Sequence, residues 1–184
     1  IIRDNTEKSA NLVRQMQYIS DLERQSSEVC FTPVNLENFL QKKVNEYALQ
    51  AIKKRIHLTW KIQSEVPFEI QIDTDKLTRI FDNIISNSLQ YTPNEGHIDI
   101  DVKADDERIF YKISDTGCGF SPKDLKMATE RFYRGDEARQ SEGNHSGLGL
   151  FIVKQLVEQL GGTLQIENGK SGGACVIFYH TLVI

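Results

Sequence analysis

The feature that most constrains the fold is an amphipathic segment at residues 74–93, whose apolar positions repeat with helical spacing. The repeat predicts a helix with one buried face, formed by Leu77, Ile80, Phe81, Ile84, Ile85, Ser88 and Leu89. Asn83, Asn87 and Gln90 lie on a different face, because each helical residue advances by about 100°. Asp73 is a candidate cap. The helix therefore presents two carboxamides one turn apart.

Composition sets the class of protein. The chain has 184 residues, of which 39% are hydrophobic and 26% charged, which suits one globular domain with an extra element. The net charge of −4, with no long run of Lys or Arg, indicates neither a nucleic-acid nor an anionic-membrane partner. Cys30, Cys118 and Cys175 are odd in number, widely spaced and without a His at metal-ligand spacing, which argues against disulfides or zinc and favours a reducing cytosol.

The first part of the chain reads as a separate helix followed by a linker. Residues 3–26 contain no Gly or Pro, and an apolar stripe follows one face of the predicted helix: Leu12, Met16, Ile19 and Leu22. The polar stretch 25–28 and Pro33 end it. Such a stripe favours a partner helix, as in a bundle, and the chain is expected to be a piece of a longer protein.

A second helix is predicted from Leu36 to Lys54, capped by Asn35. Six strands are predicted from alternation and turn residues, at 56–62, 68–72, 97–102, 108–114, 163–167 and 174–182. The acids of 97–102 are expected on a solvated sheet face.

The strand at 108–114 runs directly into Asp115, which is followed by Gly117 and Gly119. A carboxylate only accepts hydrogen bonds, and glycines let the backbone approach a flat ligand closely. An adenine amino group is a donor that suits such an acceptor. By itself this pattern is weak, because Asp-Gly pairs are common in turns.

A long polar stretch at 121–146 separates this motif from the next one and is predicted to be a lid. Gly147 and Gly149 then open a helix that ends at Gly161 and Gly162. Glycines at a helix start expose N–H groups at the positive end of the helix dipole, which favours phosphate binding.

Taken in order, these motifs resemble the ATP-binding catalytic domain of two-component sensor histidine kinases, within the ATPase superfamily that includes gyrase and MutL. The resemblance implies an α+β fold, a two-layer sandwich with about five mixed, largely antiparallel strands on about three helices, an ATP lid and one N-terminal amphipathic helix. It implies that residues 1–27 are the second helix of a dimerisation and histidine-phosphotransfer domain, that 28–33 form a linker, and that 34–184 form the catalytic domain.

The resemblance also implies roles for individual residues. Asn87 would coordinate Mg²⁺, as a neutral oxygen ligand suited to a hard cation. Asn83 stands where the gyrase-like relatives carry a water-activating Glu, and a carboxamide cannot act as that base. Asn83, Asn87 and Arg134 are the predicted catalytic residues. The predicted ATP-binding residues are Asn83, Asn87, Gln90, Tyr91, Asp115, Gly117, Gly119, Arg131, Phe132, Arg134, Ser146, Gly147, Leu148 and Gly149.

Three features of the chain depart from the family pattern, and one of them is Cys118, which stands in the variable position between the two pocket glycines. Gln90 occupies a position where the family usually has Lys, and His145 occupies one where the glycine box often begins with Gly. The phosphoacceptor is also missing, since His57, His97, His145 and His180 all lie inside the predicted catalytic domain. The chain is therefore expected to bind ATP and Mg²⁺ without being able to phosphorylate itself.

The implied function is transfer of the ATP γ-phosphate to a His on a separate phosphotransfer domain, then to an Asp of a response regulator. The implied parent is a homodimer anchored in the cell membrane, with this part in the cytoplasm and no nucleic-acid partner. Three alternatives remain open: a gyrase- or MutL-like ATPase, an anti-sigma-factor-type serine kinase of the same fold, and a non-enzymatic nucleotide-sensing module.

Overall fold

A computed structural model of the protein describes residues 2–24, 29–63, 66–135, 147–170 and 172–183. Over these residues the helices are α1 (Ile2–Arg24), α2 (Leu36–Lys54), α3 (Thr74–Tyr91), α4 (Pro122–Met127) and α5 (Gly149–Gln159). The strands are β1 (Thr32–Asn35), β2 (His57–Ile62), β3 (Glu69–Ile72), β4 (His97–Ala104), β5 (Arg108–Asp115), β6 (Thr163–Asn168) and β7 (Ala174–Thr181).

Five strands form one sheet in the order β2, β4, β5, β7, β6. β2 is parallel to β4, and every other neighbouring pair is antiparallel. The helices α2, α3 and α5 pack on one face of this sheet. The predicted α+β sandwich with a mixed, largely antiparallel sheet is therefore confirmed.

Alternation along β4 illustrates why the sheet has two different faces. Ile98, Ile100 and Val102 are fully buried, while His97, just before them, and Asp99, between Ile98 and Ile100, are exposed. Side chains alternate across a strand, so a single apolar-polar repeat places one set in the core and the other in solvent. The predicted half-buried strand with acids on its outer face is confirmed.

A second, two-stranded sheet joins β1 to β3 in antiparallel register, with Pro33 opposite Gln71. The Thr32 hydroxyl donates to the carbonyl of Ile72 at 3.1 Å. The sequence did not predict β1, because four residues including a proline are too few for an alternating pattern. β1 begins two residues before the predicted start of the catalytic domain at Val34.

The core is built around Phe81, which is completely buried on α3. Its ring lies 5.3 Å from Phe39 of α2, 5.7 Å from Tyr111 of β5 and 6.0 Å from Phe178 of β7. These edge-on aromatic pairs are favourable beyond the area they bury. They join α2, α3 and the centre of the sheet.

The apolar stripe of α1 divides into two parts. Ile19 is buried in the core, and the Arg79 guanidinium of α3 lies 3.6 Å from the ring centroid of Tyr18. Further towards the N-terminus, Leu12 and Met16 are exposed. The C-terminal part of α1 thus packs on the sandwich while the rest of its stripe faces solvent. Among the described helices, none is both long and apolar enough to cross a bilayer.

Candidate nucleotide site

The wall of the site is α3, and all seven residues of its predicted apolar stripe are buried. Asp73 caps the helix as predicted, since its side chain accepts from the backbone N–H of Lys76 at 3.0 Å. Burial by itself would raise the pKa of Asp73, but hydrogen bonds from Lys76 and Cys30 outweigh it and lower that pKa. With one face fixed in the core, the opposite face of α3 has a defined direction.

The two carboxamides of α3 face the start of α5. Nδ2 of Asn83 donates to the carbonyl of Arg79 at 2.8 Å. A Cβ added to Gly149 would lie 3.2 Å from Oδ1 of Asn83 and 3.6 Å from Nδ2 of Asn87. The structure therefore brings the predicted Asn pair and the predicted glycine box together. Because Gly149 has no side chain, the start of α5 can lie close to both amides, and its first turn points towards them.

The C-terminal end of α3 is held by Lys54 at the end of α2. The ammonium group donates to the carbonyls of Leu89 at 2.6 Å, Gln90 at 3.1 Å and Thr92 at 2.9 Å. The last carbonyls of a helix have no partner within it, and a cation there also suits the dipole. The cation expected near position 90 is replaced by Gln90, and Lys54 lies next to it on the backbone side.

Asp115 ends β5 and is 7% exposed. Its Oδ1 accepts the N–H of Gly117 at 2.9 Å and that of Ala174 on β7 at 3.1 Å. Both of the hydrogen bonds that the structure gives this carboxylate end on Oδ1, which orients the group and leaves Oδ2 as an acceptor. Gly117 has no room for a side chain, because a Cβ would lie 2.7 Å from the Tyr91 carbonyl oxygen.

Gly119 lies where two loops meet. It has a φ of +72°, and a Cβ there would lie 2.2 Å from the carbonyl oxygen of Gly172. Asn168 joins the same loops, since its Oδ1 accepts from the N–H of Phe120 at 2.7 Å and its Nδ2 donates to the Phe120 carbonyl at 2.8 Å. Glycine was predicted here for close approach to a ligand; in the structure, the packing of the two loops also requires it.

The opposite side of the site is formed by α4 and the residues that follow it. Ser121 and Asp124 form a capping box at the start of α4. The Tyr133 hydroxyl donates to Oδ1 of Asp124 at 2.8 Å. Burial would raise the pKa of Asp124, but hydrogen bonds from Ser121 and Tyr133 outweigh it and lower that pKa. Arg134 follows Tyr133 at the rim of the site.

These elements enclose a cavity of about 710 Å³, within the usual range for a small-molecule site. The predicted residues that line it are Asn83, Asn87, Tyr91, Asp115, Gly119, Arg134, Gly147 and Gly149. It is also lined by residues that the sequence did not single out for the site: Gln15, Ile84, Ser86, Ser88, Cys118, Phe120, Ser121, Asp124, Ala128, Tyr133, Gly135, Leu150, Ala174 and Val176.

Five predicted site residues do not line the cavity. Gln90 is half-buried at the end of α3, and Gly117 supports Asp115 from behind. The Arg131 guanidinium lies 4.7 Å from the centroid of Phe151. Phe132 is 54% exposed, and Leu148 is buried immediately before α5. Ser146 and His145 lie outside the described residues.

Some of the missed residues carried a readable signal. Ser121 and Asp124 have the spacing of a capping box, which indicates a helix start in the stretch assigned to a lid. Ala174 and Val176 carried none, because they reach the cavity only through the pairing of β7 with β5. A register of that kind depends on contacts between distant parts of the chain.

Comparison with known proteins agrees with this geometry. Residues 72–183 match the family described as histidine kinase-, DNA gyrase B-, and HSP90-like ATPase. The sensor histidine kinase WalK of Bacillus subtilis is 28% identical over 181 residues, which are 97% of this chain and 29% of WalK. The sensor histidine kinase SpaK of Bacillus subtilis is 34% identical over 163 residues, 86% of this chain and 35% of SpaK.

Among solved structures, full-length ShkA in complex with AMPPNP superposes with a TM-score of 0.87 at 25% identity, covering 98% of this chain and 37% of ShkA. The chain thus spans about a third of the length of these relatives. The match covers α3, β4 to β7 and the glycine box, and it confirms the family predicted from the sequence. The chain belongs to the histidine kinase-, DNA gyrase B- and HSP90-like ATPase family.

Proposed function

We propose that this chain is the ATP-binding catalytic part of a sensor histidine kinase, which transfers the γ-phosphate of ATP to a histidine on a separate phosphotransfer domain. From there the phosphate would pass to an aspartate of a response regulator. The observation that carries the proposal is a cavity with Asp115 at one end and the Asn83–Asn87 pair facing the start of α5 at the other. The acceptor at one end suits a nucleotide base, and the amides and the helix start at the other end suit its phosphates.

The choice of transfer over hydrolysis depends on Asn83. It faces Gly149 with Oδ1 and is bonded to the Arg79 carbonyl through Nδ2. An amide oxygen cannot take a proton from water at neutral pH, so the position supports substrate without activating water. Phosphoryl transfer mainly requires positioning and neutralisation of charge. Arg134, at the cavity rim, is the proposed cation for the γ-phosphate.

The acceptor histidine is proposed to come from a phosphotransfer domain that this chain does not contain. His180 is buried and bonded to the Tyr111 hydroxyl and the Thr181 carbonyl. His57 and His97 stack on each other with ring centroids 4.9 Å apart. None of these three lines the cavity.

The proposed metal ligand is Asn87, whose amide oxygen suits Mg²⁺. When bound, the ion would neutralise phosphate charge. Asn87→Ala should abolish the Mg²⁺-dependent part of ATP affinity, measured by titration with Mg²⁺ and with EDTA. Asn45→Ala, at an exposed position of α2, is the matched control. An Asn87→Ala variant that still responds normally to Mg²⁺ would remove the assignment.

The central experiment supplies the chain with ATP labelled on the γ-phosphate and a separately prepared helix pair that carries an acceptor histidine. Acid-labile, base-stable label should appear on the added fragment. Steady release of phosphate without label on the fragment would instead support a gyrase-like ATPase. Label on serine, which survives acid, would support a serine kinase.

Asp115→Asn tests the adenine end of the cavity. Asparagine keeps an oxygen for Gly117 and Ala174 but replaces Oδ2 with a donor that opposes the adenine amino group. The free energy of ATP binding should become less favourable by about 1–3 kcal/mol. Asp99→Asn, on the outer face of the sheet, should leave it unchanged. Unaltered binding by Asp115→Asn would contradict the role.

For the parent protein, we propose that α1 is the second helix of the phosphotransfer hairpin and that the exposed Leu12 and Met16 meet partner helices in a homodimer. A chain extended by the preceding helix should then sediment as a dimer, and a monomer would argue against this. We also propose that the parent is anchored in the cell membrane with this part in the cytoplasm. Recovery of the full-length parent in the soluble fraction would contradict that.

A further inference from the structure

One carboxylate makes hydrogen bonds to both ends of the stretch between the start of α4 and Gly135, at the rim of the cavity. α4 has only six residues and buries none of them. Oδ2 of Asp124 accepts the backbone N–H of Ser121 at 2.9 Å, and Oδ1 accepts the Tyr133 hydroxyl at 2.8 Å. Asp124 therefore links the start of α4 to the residue that immediately precedes Arg134.

We propose that Asp124 and Tyr133 are positioning residues, which fix the turn so that Arg134 projects into the end of the cavity that receives the γ-phosphate. The inference rests on the proposed function, because it assigns Arg134 a phosphate ligand. It adds a role for a hydrogen bond outside the glycine box: the bond between Tyr133 and Asp124 would determine the position of the Arg134 guanidinium.

The backbone on this side of the cavity adopts a conformation that needs such support. Phe132 has a φ of +61°, in the left-handed region. A bulky side chain is strained there, and such residues persist when their surroundings hold them in place. Because Phe132 is 54% exposed, burial of its own ring does not fix the turn. The Tyr133–Asp124 hydrogen bond lies next to it, and the backbone N–H of Tyr133 also donates to the Glu130 carbonyl at 3.3 Å.

Two glycines close the turn from either side. A Cβ on Gly135 would lie 2.5 Å from Oδ1 of Asp124, the same atom that accepts from Tyr133. Gly147 has a φ of +72°, and a Cβ there would lie 2.6 Å from the Tyr133 carbonyl and 3.1 Å from Cγ of Arg134. The glycine box thus packs against the backbone of Tyr133 while Asp124 holds its side chain. Arg134 leaves the chain between these two supports.

The consequence is a difference between ATP and ADP. Asp115 and the helix wall of the cavity would contact the parts that both nucleotides share, whereas Arg134 would contact only the γ-phosphate. A cation held in place loses less conformational freedom on binding than one that is free to rotate. Loss of the Tyr133–Asp124 hydrogen bond should therefore weaken the binding of ATP and leave the binding of ADP unchanged.

The test compares Tyr133→Phe with Tyr179→Phe in the otherwise intact chain. Each substitution removes one tyrosine hydroxyl, and that of Tyr179 lies 3.1 Å from the Thr163 hydroxyl at an exposed position on the sheet. Dissociation constants for a non-hydrolysable ATP analogue and for ADP are measured by calorimetry with Mg²⁺. Tyr133→Phe should weaken the analogue by about tenfold, the scale of one hydrogen bond to a charged group, with ADP unaffected. Tyr179→Phe should change neither.

Arg134→Ala provides the second arm. If Tyr133 acts through Arg134, Tyr133→Phe should cause no further loss in an Arg134→Ala background, because the two changes remove the same interaction. A Tyr133→Phe variant that unfolds at the wild-type temperature and keeps the wild-type preference for the analogue would overturn the inference. Equal losses for the analogue and ADP, or full additivity with Arg134→Ala, would also overturn it.

The arms separate this inference from the proposed function. A wild-type chain that binds neither nucleotide would overturn both. If Asp115→Asn weakens both nucleotides while Tyr133→Phe leaves the ratio of their affinities unchanged, the nucleotide site stands and only the positioning role falls.

Discussion

The two sides of the nucleotide cavity are held by different forces. On one side, α3 presents Asn83 and Asn87 from a helix whose opposite face is buried without a break. On the other side, α4 buries no residue, and hydrogen bonds of Asp124 link α4 to the turn that carries Arg134. We call these the buried wall and the polar wall.

The difference fits what each side would have to do. Groups that would bind the shared part of a nucleotide and its metal stand on the buried wall, where dense contacts fix them before the ligand arrives. The group assigned to the γ-phosphate stands on the polar wall, beside a six-residue helix that buries none of its residues. On the proposed assignment, the end of the site for the base and the metal would be held by core packing, and the γ-phosphate end would be held in part by the hydrogen bonds of Asp124.

The largest expected effect on the free energy of unfolding comes from truncating a core side chain of the buried wall. Phe81→Ala removes a fully buried ring that contacts Phe39, Tyr111 and Phe178, so the free energy of unfolding should fall by about 3–5 kcal/mol. Leu125→Ala on α4, where the side chain is 39% exposed, should cost only about 0.5 kcal/mol. Urea unfolding of both variants measures the contrast, and similar losses would mean that the two walls do not differ in this way.

The buried wall could be predicted from the sequence almost residue by residue. The stripe of α3 needs only the helical period, and the Asn35 and Asp73 caps need only a local pattern. The assignment of Asn83 and Gly149 to one ATP-binding set came from the ordered motifs and the family they resemble, and the structure adds that the two lie side by side. Information of this kind lies within one helix or within one recognised sequence of motifs.

The polar wall could not be predicted to the same depth. The Tyr133–Asp124 hydrogen bond joins two residues in a stretch that has no period, and neither residue type requires the other. Arg131 and Arg134 stand three positions apart, and both are predicted ATP-binding residues. In the structure Arg134 lines the cavity, while the Arg131 guanidinium lies over the ring of Phe151. The sequence alone could not distinguish the two arginines. The contact of Lys54 with the end of α3 could not be predicted either, because its partners are backbone carbonyls, which every residue carries.

A smaller effect is expected where α2 supports the end of the buried wall. Lys54→Met leaves the carbonyls of Leu89, Gln90 and Thr92 without their common donor, so the free energy of unfolding should fall by about 1–3 kcal/mol. ADP affinity should fall as well, because the Tyr91 carbonyl packs against Gly117 behind Asp115.

The matched control for this change is Lys53→Met, at an exposed position of the same helix turn. It should alter neither stability nor ADP binding. A Lys54→Met variant that loses stability but binds ADP normally would show that the end of α3 carries fold stability alone.

The smallest expected effect is a pH dependence of the free energy of unfolding, caused by a buried histidine in the sheet behind the buried wall. His180 is 2% exposed, and burial lowers its pKa below the ordinary value of 6.5. Its Nδ1–H donates to the Thr181 carbonyl at 2.8 Å, so Nε2 accepts from the Tyr111 hydroxyl at 3.0 Å. The stabilising contribution of neutral His180 is complete above pH 6.5. As the pH falls below that value the unfolded chain binds a proton that the folded chain refuses, and stability should decline by up to about 1.4 kcal/mol per pH unit.

Urea unfolding at pH 7.5, 6.5 and 5.5, values that bracket the ordinary histidine pKa of about 6.5, measures this slope. His180→Gln should flatten it whatever the variant does to absolute stability, and His97→Gln, at an exposed position, should retain it. The lowered pKa values of Asp73 and Asp124 do not interfere, because carboxylates whose pKa lies below 3.8 lose their contribution only at lower pH. If the slope persists in His180→Gln, the proton is taken up elsewhere, and the Tyr111–His180 pair is not the acid-sensitive point of the core behind the buried wall.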